Sequence, residues 1–149
     1  MKREDRILKT IESLFMEQTL GVLATQKQGE PWGSLIAFAS SENLKSIFFA
    51  TPTFTRKYFN LTRDSRVALV IDNRENRPAD FSEAIAVTAS GNASILKSPR
   101  RKEAERIFLL KHPYLTSFVK SPTCAMIEIT VDRYNLVDRF QEVVELQLD

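Results

Sequence analysis

Apolar positions along this chain follow two periods. Between residues 3 and 18, Ile7, Leu8, Ile11, Leu14 and Phe15 recur at i, i+1, i+4, i+7 and i+8, the spacing of a helix with one buried face. From residue 20 the apolar runs become short. Residues 20–25, 32–39 and 45–50 are separated by 26–31 and 40–43, which are polar and rich in turn-formers, so an antiparallel meander is predicted.

The stretch 46–66 organises the rest. Ile47, Phe48 and Phe49 suit a strand, and Pro52, which lacks an N–H, stops it. Thr53 or Thr55 then caps a helix in which Phe54, Tyr58 and Leu61 fall on one face. A helix start carries unpaired N–H groups and partial positive charge, and so favours an anion. Thr51, Thr53, Thr55, Arg56 and Lys57 add three hydroxyls, a guanidinium and an ammonium within seven residues, a composition suited to a phosphate. The competing reading is a capped surface helix whose two cations are merely solvated.

Residues 66–72 read as a buried strand and 73–82 as a polar loop around Pro78. Residues 84–96 read as a long strand in which Gly91 marks a bulge or bend. Residues 99–111 read as a helix capped by Ser98, with Pro99 in its first turn and His112-Pro113 ending it. Residues 123–131 and 134–148 are closing strands, the latter carrying an apolar run at 143–146 that pairs or packs externally. The order does not alternate as in a parallel α/β fold. It predicts a mainly β (α+β) Greek-key or split β-barrel with peripheral helices. The expected organisation is one domain over 1–149, with a helix at 1–18 and the barrel at 20–149.

Composition narrows the chemistry. A chain of 149 residues, 43% hydrophobic and 27% charged, fits one globular domain. A formal net charge of +2 supplies no basic footprint for nucleic acid, and Phe48 and Phe49, being adjacent, cannot share a strand face. One cysteine, Cys124, and one histidine, His112, exclude a disulfide framework and a multi-cysteine zinc site, and no metal site is expected. Cys124 reads as a buried small residue and His112 as a helix-end residue facing the dipole. Asp72, Asp80 and Glu83 read as a solvated rim. Lys97, Arg100, Arg101 and Lys102, interleaved with Glu103 and Glu105, read as a solvated helix face. There is no phosphate loop, dinucleotide glycine fingerprint, nucleophile elbow or zinc-protease helix. These side chains offer no reaction of their own, so an enzyme built on them needs a bound cofactor. The charged N-terminus has no apolar signal core behind it, and no run approaches a membrane span, so a soluble cytoplasmic protein is expected.

Residues 20–25, Pro31, Ser34, residues 47–51, Thr55-Arg56-Lys57 and residues 66–70 together resemble the pyridoxamine 5'-phosphate oxidase-like flavoproteins, over residues 20–96. The resemblance implies a six-stranded antiparallel split barrel that forms a homodimer and binds FMN in clefts at the subunit interface. By the same resemblance, the strand end at Ala50 and Thr51, with Thr55, Arg56 and Lys57, holds the phosphate end of FMN. The backbone of Gly33, Ser34, Leu35 and Ile36 then lies along the flavin ring. The biosynthetic oxidase has an arginine where this chain has Gly33-Ser34, and a C-terminal arginine- and histidine-containing motif absent from residues 132–149. The resemblance therefore points to a shorter relative with another substrate. The expected function is an FMN-dependent oxidoreductase passing hydride or electrons to or from a small molecule, with no catalytic side chain assigned. The loop 73–82 or a second subunit would shape its substrate side. Alternatives are a non-catalytic FMN carrier or sensor, and a haem- or deazaflavin-binding relative. Haem is disfavoured by the single histidine.

Overall fold

The computed structural model describes residues 2–139 and 142–149. Helix α1 (Arg3–Glu17) turns Ile7, Ile11, Leu14 and Phe15 into the core, as its periodicity predicts. Strands β1 (Leu20–Lys27) and β2 (Glu30–Ala37) form a hairpin through Gln28 and Gly29, whose φ values of 50° and 87° give the left-handed two-residue turn matching strand twist. A two-residue β3 (Ala39–Ser40) leads to β4 (Ser46–Pro52), α2 (Arg56–Arg63) and β5 (Arg66–Asp72). A short α3 (Asp80–Glu83) precedes β6 (Ile85–Ile95). Then come α4 (Arg100–Lys111), a 3₁₀ turn (Pro113–Leu115), α5 (Thr116–Lys120), β7 (Cys124–Asp138) and β8 (Glu142–Gln147).

All pairings are antiparallel, in the order β2-β1-β5-β6-β7-β4-β3, with β8 also on β7. This is the expected split barrel with peripheral helices, with the short β3 and the terminal β8 added to six principal strands. The split has a visible cause. Opposite β6, Ser90 pairs with Arg133 and Gly91 with Val131, so Asp132 is an extra residue on β7. Before the bulge β7 pairs with β4, and beyond it with β8. The Asp132-Arg133 pair that reads as a break between two strands is thus a bulge within one. Gly91 is required there, since a Cβ would collide with the Thr130 carbonyl oxygen.

The barrel interior is filled by Leu23, Phe49, Leu69, Ile71, Val87 and Ile127 among others, and α1 closes one end. A second cluster lies outside the barrel wall, where Phe48 and Met126 pack under Ala104, Phe108 and Val119 of α4 and α5. Phe48 and Phe49 are fully buried in different clusters, so β4 is covered on both sides. The run at 143–146 pairs with β7 of the same chain and buries Leu146 inward. The side chain of Val143 lies outside the described ones.

Helix α4 begins at Arg100 with no side-chain cap, so Ser98 does not serve as predicted. Two of its basic residues are fixed, Arg100 on Glu128 at 2.8 Å and Arg101 on Glu105 at 3.0 Å, while Lys97 and Lys102 are exposed as expected. His112 is fully buried and its Nε2 lies 2.7 Å from the Phe38 carbonyl oxygen. It therefore ties the helix end to the core, and is not a dipole partner at the surface. Asp80 does more than line a solvated rim: its carboxylate accepts the backbone N–H groups of Glu75, Asn76 and Arg77 and orders the loop. Among the described residues no helix is long and apolar enough to cross a membrane.

Candidate cofactor site

The site is built where β4 hands over to α2. Thr55 adopts an extended conformation, and its Oγ1 accepts the Tyr58 N–H at 3.4 Å, so Thr55 is the cap. Thr53 instead donates its N–H to the Thr123 carbonyl at 2.9 Å. Because the helix starts only at Arg56, Phe54 does not join the buried face of Tyr58 and Leu61. It stands 81% exposed, against expectation.

Thr51 is fully buried, with its Oγ1 2.9 Å from that of Thr55 and 3.1 Å from the Pro52 carbonyl. Its hydroxyl therefore steadies Thr55 from behind. Ala50, also buried, packs in the second cluster under α4. Behind the helix, Asn60 is buried and its Nδ2 donates to Thr25 Oγ1 at 3.1 Å, bolting α2 to β1. Among the described residues Asn60 Oδ1 has no partner. Nothing in the sequence pattern singles out this polar pair, because both positions look like ordinary helix and strand residues.

Arg56 and Lys57 open the helix, where backbone N–H groups have no intrahelical acceptor. The Arg56 guanidinium sits 4.6 Å from the centre of the Trp32 ring, which links α2 to β2. Lys57 is half-buried, and desolvation pulls its ammonium below the ordinary lysine pKa. Among the described residues no hydrogen bond or ion pair compensates it. A partly desolvated cation without a counter-ion at a helix start is an arrangement completed by an anion.

Strand β2 runs past this corner as one edge of the sheet, approaching β4 and α2. Register with β1 places Ser34 and Ile36 toward the interior and Gly33 and Leu35 outward. At Gly33 an added Cβ would meet only Val22 among the described residues, at 3.8 Å, so that side is open. Leu35, 65% exposed, adjoins exposed Val22, with exposed Leu20 and Trp32 on the same hairpin. An unpaired edge beside an apolar face is a surface that needs a cover.

Between the hairpin and α2 opens a cleft of about 600 Å³, walled by Lys27, Gln28 and Glu30 on one side and Phe54, Thr55, Arg56 and Phe59 on the other. The loop 73–82 does not reach it. It leaves the Asp72 end of β5, whereas α2 joins the Arg66 end, so within one chain the loop lies at the opposite end of the barrel.

Cys124 pairs opposite Pro52 at the end of β4, with its side chain buried in the second cluster, and His112 is tied to the Phe38 carbonyl away from the cradle. Burial raises the Cys124 thiol pKa and lowers that of His112, and both lie under the α4–α5 layer. Among the described residues no group of His, Cys, Asp and Glu is placed to hold a metal.

The same fold recurs in solved structures of low sequence identity. A haem-binding protein from Mycobacterium smegmatis superposes with a TM-score of 0.80 at 16% identity, covering 91% of this chain and 56% of its own. Campylobacter jejuni ChuZ gives 0.82 at 14% identity, covering 99% and 61%. The chain thus spans a little over half the length of these two relatives. A Clostridium acetobutylicum protein related to general stress protein 26, of the pyridoxinephosphate oxidase family, gives 0.74 at 16% identity over 97% and 96%. No curated protein sequence matches the chain. The sequence model of the family described as pyridoxamine 5'-phosphate oxidase matches residues 7–138, nearly the whole barrel, and the chain belongs to that family.

Proposed function

We propose that this protein binds FMN as a homodimer and passes hydride or electrons through it to or from a small molecule. The observation that carries the proposal is Lys57, half-buried and uncompensated beside Arg56 at the capped start of α2. A phosphate monoester, nearly a dianion at neutral pH, supplies the missing charge. Arg56 offers a planar pair of donors, Lys57 a point charge, and Thr55 a fixed oxygen held in turn by Thr51. The free edge of β2 at Gly33, Ser34, Leu35 and Ile36 presents backbone donors and acceptors to a flat ring, and Gly33 keeps the approach open. When bound, the flavin supplies the redox chemistry. The exposed patch of Leu20, Val22 and Leu35 supports a second copy as the cover that excludes water from the bed.

Turnover is the finer part of this reading. Gly33, Ser34, Leu35, Ile36 and Ala50 include no titratable side chain, which supports an FMN carrier or sensor as the second reading. Haem draws support from the likeness to the Mycobacterium smegmatis protein. In this chain the one imidazole is buried on the Phe38 carbonyl, and the built feature is a cationic corner suited to phosphate. The visible spectrum of the purified protein, before and after adding FMN and removing the excess, tests the reading. A retained flavin spectrum that bleaches with a reductant supports oxidoreductase function, and one that no donor bleaches at a useful rate supports the carrier. A protein that retains no flavin overturns both.

A further inference from the structure

The cleft beside the phosphate corner is larger than the corner requires. Its 600 Å³ opening shares Thr55 and Arg56 with the cradle but lies at the turn end of the hairpin, where Lys27, Gln28 and Glu30 line it, and includes none of Gly33, Ser34, Leu35 and Ile36. Its wall combines two aromatic rings with cations. Phe59 is already engaged, with Arg63 3.3 Å and Lys27 5.1 Å from its ring centre. Phe54 is 81% exposed and makes no ring contact or cation stack among the described residues. It projects from the turn that ends in the cap Thr55, so its position is fixed by the same hydrogen bonds that fix the cradle. Glu30 is the one carboxylate in the wall. It would repel a phosphate, and it suits an exocyclic amine donor.

A cation at the shared corner, an open aromatic platform, a second cation and a carboxylate acceptor together supply partners for the parts of a purine nucleotide. We propose that this cleft is an adenylate subsite: the adenine stacks on Phe54 and donates its amine to Glu30, while its phosphate is met by Arg56 and Lys27. The inference rests on the FMN reading. The adenylate has two chemical sources, the second half of FAD or the adenylate half of a nicotinamide dinucleotide donor.

Two pairs of titrations separate them. FAD and FMN are titrated into the flavin-free protein by fluorescence quenching, and NADH and reduced nicotinamide mononucleotide into the FMN-loaded protein. In one pair the adenylate-bearing member binds about tenfold tighter, the scale of one base–aromatic stack. Phe54→Ala removes that advantage without changing the partner ligand's Kd, and Phe54→Tyr keeps it. An advantage in the flavin pair makes the subsite part of the cofactor site; one in the nicotinamide pair makes it part of the donor site. Equal affinities within both pairs, or a Phe54→Ala loss shared by both members of a pair, overturn the subsite while leaving FMN binding intact. Failure of both flavins to bind overturns the FMN reading and the subsite together.

Discussion

Replacing Lys57 with methionine separates a phosphate cradle from an ordinary surface helix. The ammonium is half-buried, its pKa lowered by desolvation alone, and it makes no ion pair among the described residues. Methionine keeps the length of the stem and removes the charge. In the flavin-free protein nothing is broken, so the thermal midpoint of Lys57→Met is equal to or above that of the parent. Toward FMN the variant loses a charge-assisted hydrogen bond of roughly 1.5–3 kcal/mol, which corresponds to a Kd about 10- to 150-fold weaker. The pH dependence carries the same sign. Phosphate favours the charged amine, so Lys57 contributes fully below its free-protein pKa. That contribution fades as pH rises from this lowered free-protein value toward the higher pKa of the phosphate-bound amine. This alkaline component is missing in Lys57→Met. Scanning calorimetry of the flavin-free proteins and flavin fluorescence titrations from neutral to alkaline pH measure both effects. A variant that melts markedly lower yet binds FMN as well as the parent would refute the reasoning.

Further expectations concern other parts of the fold. Leu35→Asp places a charge on the exposed β2 face, and light scattering is expected to show a monomer with weakened FMN retention; an unchanged dimer would remove this face from the interface. Gly91→Ala forces a Cβ against the Thr130 carbonyl oxygen and should cost about 2 kcal/mol in urea unfolding, as other overpacked sites do; a neutral result would mean the bulge relaxes freely. His112 is held neutral by burial, its pKa below the ordinary histidine value. Its stabilising share is therefore present above that ordinary value and lost as pH falls from it toward the lowered one, because the unfolded chain takes the proton first. His112→Asn should flatten that acid slope of stability, and an unaltered slope would assign it to other groups.

The barrel was legible because its apolar strand runs are separated by turn residues, and because Pro52 and Thr55 punctuate the chain where β4 gives way to α2. Gly91 marked the bulge for the steric reason that glycines usually do. Periodicity failed where backbone geometry interrupts it. Asp132 and Arg133 look like a turn but sit at a bulge in one continuous strand. Phe54 looks like the first inward position of α2 but precedes the helix. Arg56 and Lys57 were legible as a cationic pair, but that neither makes an ion pair among the described residues, while Arg100 and Arg101 are tied to glutamates, depends on tertiary placement. The Asn60–Thr25 bolt and the Asp80-ordered loop depend on single side chains meeting across the fold, which no spacing rule reveals.

The cradle is tested most directly by titrating the flavin-free protein with FMN and with riboflavin, which share the ring and differ in the phosphate. FMN is expected to bind at least tenfold tighter, with most of that difference lost in the Arg56→Ala/Lys57→Ala protein. Equal binding of the two flavins by the parent protein would contradict the cradle.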